Sequence, residues 1–348
     1  MTNKFKSAGK IISVEEAIGT VLAHDITEIR PGRFKGSAFK RGQIIKKDDL
    51  ERLKSLGKEH IFVLNIEPGE IHEDDAALRL ARVLAGPGII FDENPSEGKI
   101  TLKAAHKGLL KVNVPALVDF NLVPEVTCST RHNNILVEKG ETVAGTRAIP
   151  LIIDEDYVLQ AEKIAKKAGG ILSVKPLSTP ASGIIITGTE VYSGRIEDKF
   201  APVLKKKLSS FGCEIKEISF LPDNKNRIIK TLHSYLKKGY DLILLTGGMS
   251  VDPDDVTRMA IAEAGAEDII YGTPVLPGAM FLYARFGEVP VLGLPACIIF
   301  YKTTVFDLIF PRVLAGEKIT RTDLASMAHG GLCLTCERCN YPVCPFGK

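Results

Sequence analysis

After Ser182 the chain alternates between short apolar runs and amphipathic helices. Gly183-Ile184-Ile185-Ile186 is unbroken in its apolarity, as a strand buried on both faces of a parallel sheet must be. Phe200 to Phe211 follows with Phe200, Val203, Leu204, Leu208 and Phe211 on one helical face. Glu214 to Leu221 reads as a second strand. Arg227 to Lys238 is a helix carrying Ile228, Leu232, Tyr235 and Leu236. Asp241 to Leu245 is a third buried strand, and Asp254 to Ala264 a further helix. This rhythm predicts an α/β fold, a parallel sheet with helices on both faces. Ligands of such sheets sit beyond the carboxyl ends of the strands.

The preceding half has a different texture. Ser13, with Glu16 at the capping-box spacing, opens a short helix cut off by Gly19. Lys46 to Leu56 reads as a second helix closed by Gly57, and Ile61 to Leu64 as a strand. Asp74 to Leu84 is helical, with Ala77, Leu80, Ala81 and Leu84 on one stripe. Residues 99–153, rich in Val, Ile, Leu and Thr and broken by Gly, Pro and Asn, read as mostly β. Tyr157 to Lys167 is helical, and Pro176 to Pro180 marks a linker. A chain of 348 residues exceeds one core. The expected parts are a small α+β unit at 1–68, a mixed, mostly β unit at 69–178, the α/β domain at 179–316 and a cysteine-rich tail at 317–348.

A formal net charge of +3 with no long basic run argues against nucleic acid as partner. No 18-residue uncharged apolar run is present, which argues against a membrane span, and Met1 to Lys10 is too polar for a signal peptide. The chain reads as cytoplasmic.

Two strand-ending loops hold the candidate chemistry. The first runs from Thr187-Gly188-Thr189-Glu190 to Asp198. The second is Thr246-Gly247-Gly248-Met249-Ser250-Val251-Asp252-Pro253-Asp254-Asp255. Paired glycines let backbone N–H groups approach an oxyanion closely, and a following helix N-terminus adds a favourable dipole. The hydroxyls of Thr246 and Ser250 could donate to phosphate. Asp254 and Asp255 could hold a divalent metal such as Mg2+ or act as acid and base. Gly-Gly also serves a plain tight turn, and the aspartates also cap helices.

Seven cysteines are present, four of them in the last 16 residues. Cys333, Cys336, Cys339 and Cys344 have the spacing Cys-x2-Cys-x2-Cys-x4-Cys-Pro. In a reducing compartment such a cluster points to a metal before disulfides. Four thiolates can close a tetrahedral shell around Zn2+, and the first three also have the rhythm of an iron–sulfur run. Cys297, at the start of a helix, is either a thiol of lowered pKa or a buried structural residue. Cys128 carries no signal, and Cys213 reads as core.

Residues 182–315 resemble the molybdopterin-binding domain shared by molybdopterin molybdenumtransferases, molybdopterin adenylyltransferases and CinA-like proteins. In the first loop Gly188, Glu190, Gly194, Ile196 and Asp198 fall in register with the family's Gly-Asp-Glu-Leu loop. Asp223 follows the next strand, as in the family. The second loop is similar to the family's Gly-Gly-x-Ser-x-Gly-x-x-Asp, with Asp255 as its last acid. Pro277-Gly278 is similar to the start of a Pro-Gly-Lys-Pro turn, and Leu294-Pro295 leads into a long apolar helix as in the transferases. Val14-Glu15-Glu16-Ala17 with Leu22-Ala23-His24-Asp25-Ile26 also resembles the opening of the molybdenumtransferases.

The resemblance implies a pocket for molybdopterin or its adenylylated form. Thr187, Gly188, Thr246, Gly247, Gly248, Ser250, Pro277, Gly278 and Pro295 would line it, and Glu190, Asp223 and Asp255 would stand on its metal or nucleotide side. There are departures. Thr189 replaces an Asp, Asp252 replaces the last glycine of the second loop, and Ala296-Cys297 replaces a Gly-Asn. Ala279 stands where the transferases carry Lys, and Leu276 removes a second basic residue; apolar residues cannot replace cations that suit molybdate. Three readings follow. The first is a protein of molybdenum-cofactor synthesis or metal insertion, a divergent molybdenumtransferase with cofactor-biosynthesis proteins or molybdoenzymes as partners. The second is a CinA-like, metal-dependent nucleotide pyrophosphatase, and the third a non-catalytic carrier or sensor of the cofactor. A homodimer is expected from the transferases.

Overall fold

The computed structural model describes residues 10–30, 34–63, 66–96, 98–250, 252–253 and 255–348. Leu64, Val251 and Asp254 of the expected elements lie outside the described residues. The chain divides into two compact units, residues 1–133 with 137–174, and residues 134–136 with 175–348. Among the described residues no helix is long and apolar enough to cross a membrane.

In the first unit Lys10–Ser13 pairs antiparallel with His60–Val63. The Ser13 hydroxyl accepts from the Glu16 amide at 3.3 Å and the Glu16 carboxylate accepts from the Ser13 amide at 3.4 Å. This reciprocal cap starts only one 3-10 turn, Glu15–Ala17, because Gly19 follows at φ +82°. Farther on, the helix Glu73–Leu84 buries Ala77, Leu80, Ala81 and Leu84 completely, as its stripe predicts. It packs on a four-stranded antiparallel sheet ordered Ile89–Phe91, Lys99–Ala104, Thr142–Ala148, Val126–Thr130. The mostly β reading of 99–153 missed one helix, Val114–Asn121. Asn113 caps it by accepting from the Ala116 amide at 3.2 Å, and Pro115 sits in its first turn.

The second unit is built on a six-stranded sheet: β1 (Ala181–Thr187), β2 (Glu214–Leu221), β3 (Leu242–Thr246), β4 (Glu267–Tyr271), β5 (Leu282–Phe286) and β6 (Val289–Leu294), ordered β2-β1-β3-β6-β5-β4. Strands β2, β1, β3 and β6 run parallel; β5 and β4 are antiparallel to their neighbours. The expected parallel sheet is present in its four strands β2, β1, β3 and β6, and the antiparallel β5 and β4 make the whole sheet a mixed one. β6 follows β5 through a tight turn at Gly287, φ +57°, which reverses the chain where a helical crossover would have kept it parallel.

The apolar run of β1 is apolar throughout because both its faces are covered. Ile184 and Ile186 point into one core with Leu204 and Leu208 of α1 (Phe200–Ser210) and with Phe306, Ile309 and Phe310 of the helix Val305–Leu314. Ile185 points into the other, with Ile228, Leu232 and Tyr235 of α2 (Lys225–Lys237) and Ala260 and Ile261 of α3 (Thr257–Glu263). Strands β3 and β6 alternate the same way, Leu244 and Leu292 to one side, Ile243 and Val291 to the other. Each such side chain contributes about 1.5–3 kcal/mol on burial. Helix α3 begins at Thr257 rather than Asp254. Its N-cap position, Val256, makes no side-chain cap bond, and the Asp255 carboxylate accepts instead from the Asp252 amide at 3.2 Å. The carboxylate of Asp198 does cap, accepting from the Phe200 and Ala201 amides at 2.9 Å each.

Candidate functional site

The parallel strands β1, β3 and β6 end together, Ile186 opposite Thr246 and Thr246 opposite Leu294. The chain leaves β3 through Gly247 at φ +84° and Gly248 at φ +57°. A Cβ on Gly247 would collide with the Thr187 carbonyl oxygen, and one on Gly248 would stand 2.5 Å from the Thr257 hydroxyl. Both the positive φ and the crowding require glycine here. The loop is fixed from behind. The buried Thr187 hydroxyl donates to the Thr246 carbonyl at 3.2 Å and meets the Thr257 hydroxyl at 3.1 Å. The Tyr271 hydroxyl of β4 donates to the Met249 carbonyl at 2.7 Å, and the Met249 side chain packs over Gly293 of β6.

In front of the loop lies a cleft of about 630 Å3. Of the residues expected at a ligand, Gly247, Gly248, Ser250, Asp255, Pro277, Gly278 and Pro295 line it together, with Asp252, Cys297 and Cys333. The wall carrying Pro277 and Gly278 is held by close packing, since Val305 leaves no room for a Cβ on Gly278, φ +129°. Leu276 and Ala279, standing where cations were expected from the family pattern, are in this wall. The described lining contains two carboxylates, Asp252 and Asp255, and no Lys, Arg or His.

Other expected residues stand elsewhere. Thr187 and Thr246 do not line the cleft. The Thr246 hydroxyl is fully buried and without a partner, so it is not a phosphate donor in this arrangement. Gly188, φ +143°, only turns the chain into the one-turn helix Thr189–Tyr192, where Glu190 is exposed and off the cleft lining. Asp223 is engaged with the first loop: its carboxylate accepts from the Thr189 amide at 2.8 Å and the Thr189 hydroxyl at 3.0 Å. It acts there as an anchor, and Thr189 is fitted to it. Sequence reasoning missed Phe200, Met249, Tyr271 and Tyr301. Phe200, Met249 and Tyr301 reach the cleft from different elements, and no local pattern joins them.

Residues 183–315 match the family described as a probable molybdopterin binding domain. That span contains the whole glycine loop and every cleft residue except the tail's Leu332, Cys333 and Thr335. Residues 11–65 match a family described only as a domain of unknown function. A molybdopterin molybdenumtransferase of Haemophilus influenzae is 23% identical over 320 residues, covering 90% of this chain and 75% of that protein. A CinA-like protein of a Mycobacterium species is 34% identical over 92 residues, which is 26% of this chain and 22% of that protein. The chain thus spans about a fifth of that CinA-like relative. Among solved structures, CinA of Thermoplasma acidophilum has a TM-score of 0.35 at 15% identity, covering 39% of this chain and 98% of that one. The molybdopterin biosynthesis enzyme MoaB of Thermus thermophilus has a TM-score of 0.34 at 20% identity, covering 40% and 98%.

The cysteine tail lies beyond the molybdopterin-binding match. Cys333, Cys336, Cys339 and Cys344 all border a second cavity, of about 490 Å3. Among the described residues, no three His, Cys, Asp or Glu side chains converge closely enough to hold one metal ion. The closed tetrahedral shell expected around Zn2+ is therefore not formed in this arrangement. The Cys339 thiol accepts or donates a hydrogen bond with the Thr303 hydroxyl at 3.4 Å. That bond, then the Tyr341 amide, holds its pKa below the usual thiol range. The Cys297 thiol is half-buried at the rim of the cleft.

Proposed function

We propose that the cleft binds molybdopterin or its adenylylated form, and that the chain serves molybdenum-cofactor synthesis or metal insertion as a divergent relative of the molybdenumtransferases. The observation that carries this reading is the crowded glycine pair of β3 opening onto a cleft that matches the family's span. Gly247 and Gly248 bring backbone N–H groups against the phosphate side of such a ligand. The apolar wall from Leu276 to Met280 and the ring of Tyr301 suit the flat pterin.

The acidic lining sets a condition. An anionic phosphate next to Asp252 and Asp255 is repelled unless a cation intervenes. Two carboxylates and the Ser250 hydroxyl are hard oxygen donors, the set that Mg2+ takes when a substrate phosphate completes its shell. Bound there, Mg2+ would neutralise the phosphate charge. Asp255, held by the Asp252 amide, is the residue positioned to receive it. A lining without lysine supports binding more directly than molybdate insertion.

The same donor set favours a second reading, metal-dependent hydrolysis of a nucleotide pyrophosphate, as the CinA-like resemblance suggests. One experiment separates the two. The protein is titrated anaerobically with molybdopterin, with and without Mg2+, and incubated with ADP-ribose. Saturable pterin binding, weakened at least about tenfold without Mg2+ or in Asp255→Asn, supports the first reading. Nucleotide release from ADP-ribose without pterin binding replaces it by the second.

A further inference from the structure

We propose that the second cavity holds a polynuclear iron–sulfur cluster ligated by Cys333, Cys336, Cys339 and Cys344, and that this cluster clamps one wall of the ligand cleft. The inference goes beyond the pterin reading and does not depend on it.

Two observations oppose each other if the ligand is a single ion. All four cysteines line one cavity, yet among the described residues no three ligating side chains are close enough for a single ion. Tetrahedral Zn2+ with Zn–S bonds of about 2.3 Å requires sulfurs only about 3.8 Å apart. A cluster places its own iron and sulfide between the thiolates, so its ligands stand wider apart around a larger space. A cavity of about 490 Å3 bordered by four thiols is of the second kind. The ligand order, with Pro345 directly after Cys344, follows the iron–sulfur rhythm with one extra residue in the last gap.

The surroundings agree. Four thiolates are a concentrated negative charge, and two cations, Lys302 and Arg338, line the same cavity against one carboxylate, Glu337. The Thr303 hydroxyl contacts Cys339 at 3.4 Å, a polar contact of the kind that tunes cluster sulfurs. The segment is also built into the fold. Phe346 is 3% exposed in the core under the helix Val305–Leu314, and the Tyr341 hydroxyl donates to the Asp307 carbonyl at 3.3 Å. The ligand loop therefore does not hang free.

The connection to the cleft runs through backbone. The Leu276 amide donates to the Gly331 carbonyl at 2.8 Å, and the Cys333 amide donates to the Leu276 carbonyl at 2.8 Å. Leu276 precedes Pro277 and Gly278 of the cleft wall, and Cys333, Thr335 and Tyr301 border both cavities. A cluster bound at Cys333 fixes the strand-like pairing of 331–333 with Leu276 and so fixes that wall.

The test uses the full chain, purified without air and incubated with ferrous iron and sulfide. The expected product carries about four iron and four sulfide per chain, with visible absorption that bleaches on reduction. Cys336→Ser and Cys339→Ser, checked for folding by circular dichroism, should lose most of the iron. Zinc near one per chain in place of iron, or no retained iron in the wild-type protein, overturns the proposal. The clamp is read separately by hydrogen exchange of the peptide containing Leu276, with no pterin present. Loading should slow its exchange at least about tenfold. Unchanged exchange in a loaded protein overturns the clamp and leaves the cluster.

Discussion

Gly247→Ala is the sharpest perturbation of the proposed site. At φ +84° an alanine costs about 1–2 kcal/mol in backbone strain. Its Cβ also drives into the Thr187 carbonyl, a backbone atom in the middle of the sheet edge that cannot rotate away. Forced contacts in packed regions cost a further ~1–3 kcal/mol. The sum, about 2–5 kcal/mol, lowers the melting temperature of a unit this size by roughly 5–15 °C. The loop must lift off Thr187, so its N–H groups leave the cleft floor and pterin affinity falls at least about tenfold. Gly248→Ala is the internal control. Its φ of +57° lies in the ordinary left-handed basin, and its Cβ meets the Thr257 hydroxyl, a side-chain atom. Its loss should be about half as large, and Thr257→Ala should relieve the steric part of it while leaving Gly247→Ala unrelieved. Thermal unfolding and anaerobic pterin titration read both effects. Wild-type stability and affinity in Gly247→Ala would refute the reasoning.

Arg312 is 6% exposed and holds Glu317 at 2.8 Å and Asp323 at 2.5 Å. Arg312→Met removes the buried cation shared by two carboxylates, leaving Glu317 with Lys175 at 3.4 Å and Asp323 with Thr320, and should cost about 3 kcal/mol, the low end for a broken buried pair; urea unfolding measures it. Burial alone would raise the Asp323 pKa, but its bonds from Thr320 and Arg312 outweigh burial and hold it below the usual carboxylate range. Its contribution to stability is therefore present above the unfolded-state pKa, near 4, and is lost as pH falls through the lower folded value. Arg312→Met should flatten the acid limb of the stability profile, and an unchanged limb would count against the assignment. Burial pushes the Cys128 thiol up to about 12 and the Cys213 thiol to about 11. Alkylation of the native, metal-free protein at pH 8, followed by mass spectrometry, should mark exposed Cys336 first and leave Cys128 unlabelled until unfolding. Tyr271→Phe removes the hydroxyl that holds Met249 and should cost about 1 kcal/mol with a larger fractional loss in pterin affinity than in core stability.

What the sequence made legible follows from which interactions are local. The three isoleucines of β1 could be read as a doubly covered strand because each alternate side chain must find a core, and each does. The paired glycines could be read because backbone conformation and close approach leave no other residue at Gly247 and Gly248. Strand β4 could not be read. It lies at the sheet edge with Glu267, Asp268 and Ile269 exposed, so burial never imposed a pattern on it. Strand parity sets the direction of the Thr187 and Thr246 hydroxyls. Thr187 continues the face of Ile185, toward α3 and Thr257, and Thr246 continues the face of Leu244. Both hydroxyls therefore fall under the sheet edge rather than in front of it. For Glu190 and Asp223, whose roles the family resemblance implies, a motif fixes the strand end but not what the carboxylate touches. Asp223 has a partner, Thr189, which stands where the family pattern carries an Asp.

The cysteine tail shows the same division at longer range. Its spacing singles out four thiols as candidate soft ligands, and spacing along the chain carries no more than that. That Cys333 borders both cavities depends on Leu276 pairing with Gly331 and Cys333, segments distant in sequence that share no pattern. If the clamp operates, the lost basic residues at Leu276 and Ala279 acquire a physical setting. The cleft wall at Leu276 and Ala279 is apolar and paired through its backbone with the cysteine segment. Restoring charge by Ala279→Lys is then an informative gain-of-function test. If the cleft still accepts an oxyanion beside the pterin, the lysine should tighten molybdate binding by about 1 kcal/mol or more, read by competition at fixed pterin. No gain in molybdate binding, with pterin affinity intact, would mean that the wall no longer faces a metal-insertion site, and the chain would then be a cofactor-binding protein whose metal chemistry resides in the tail.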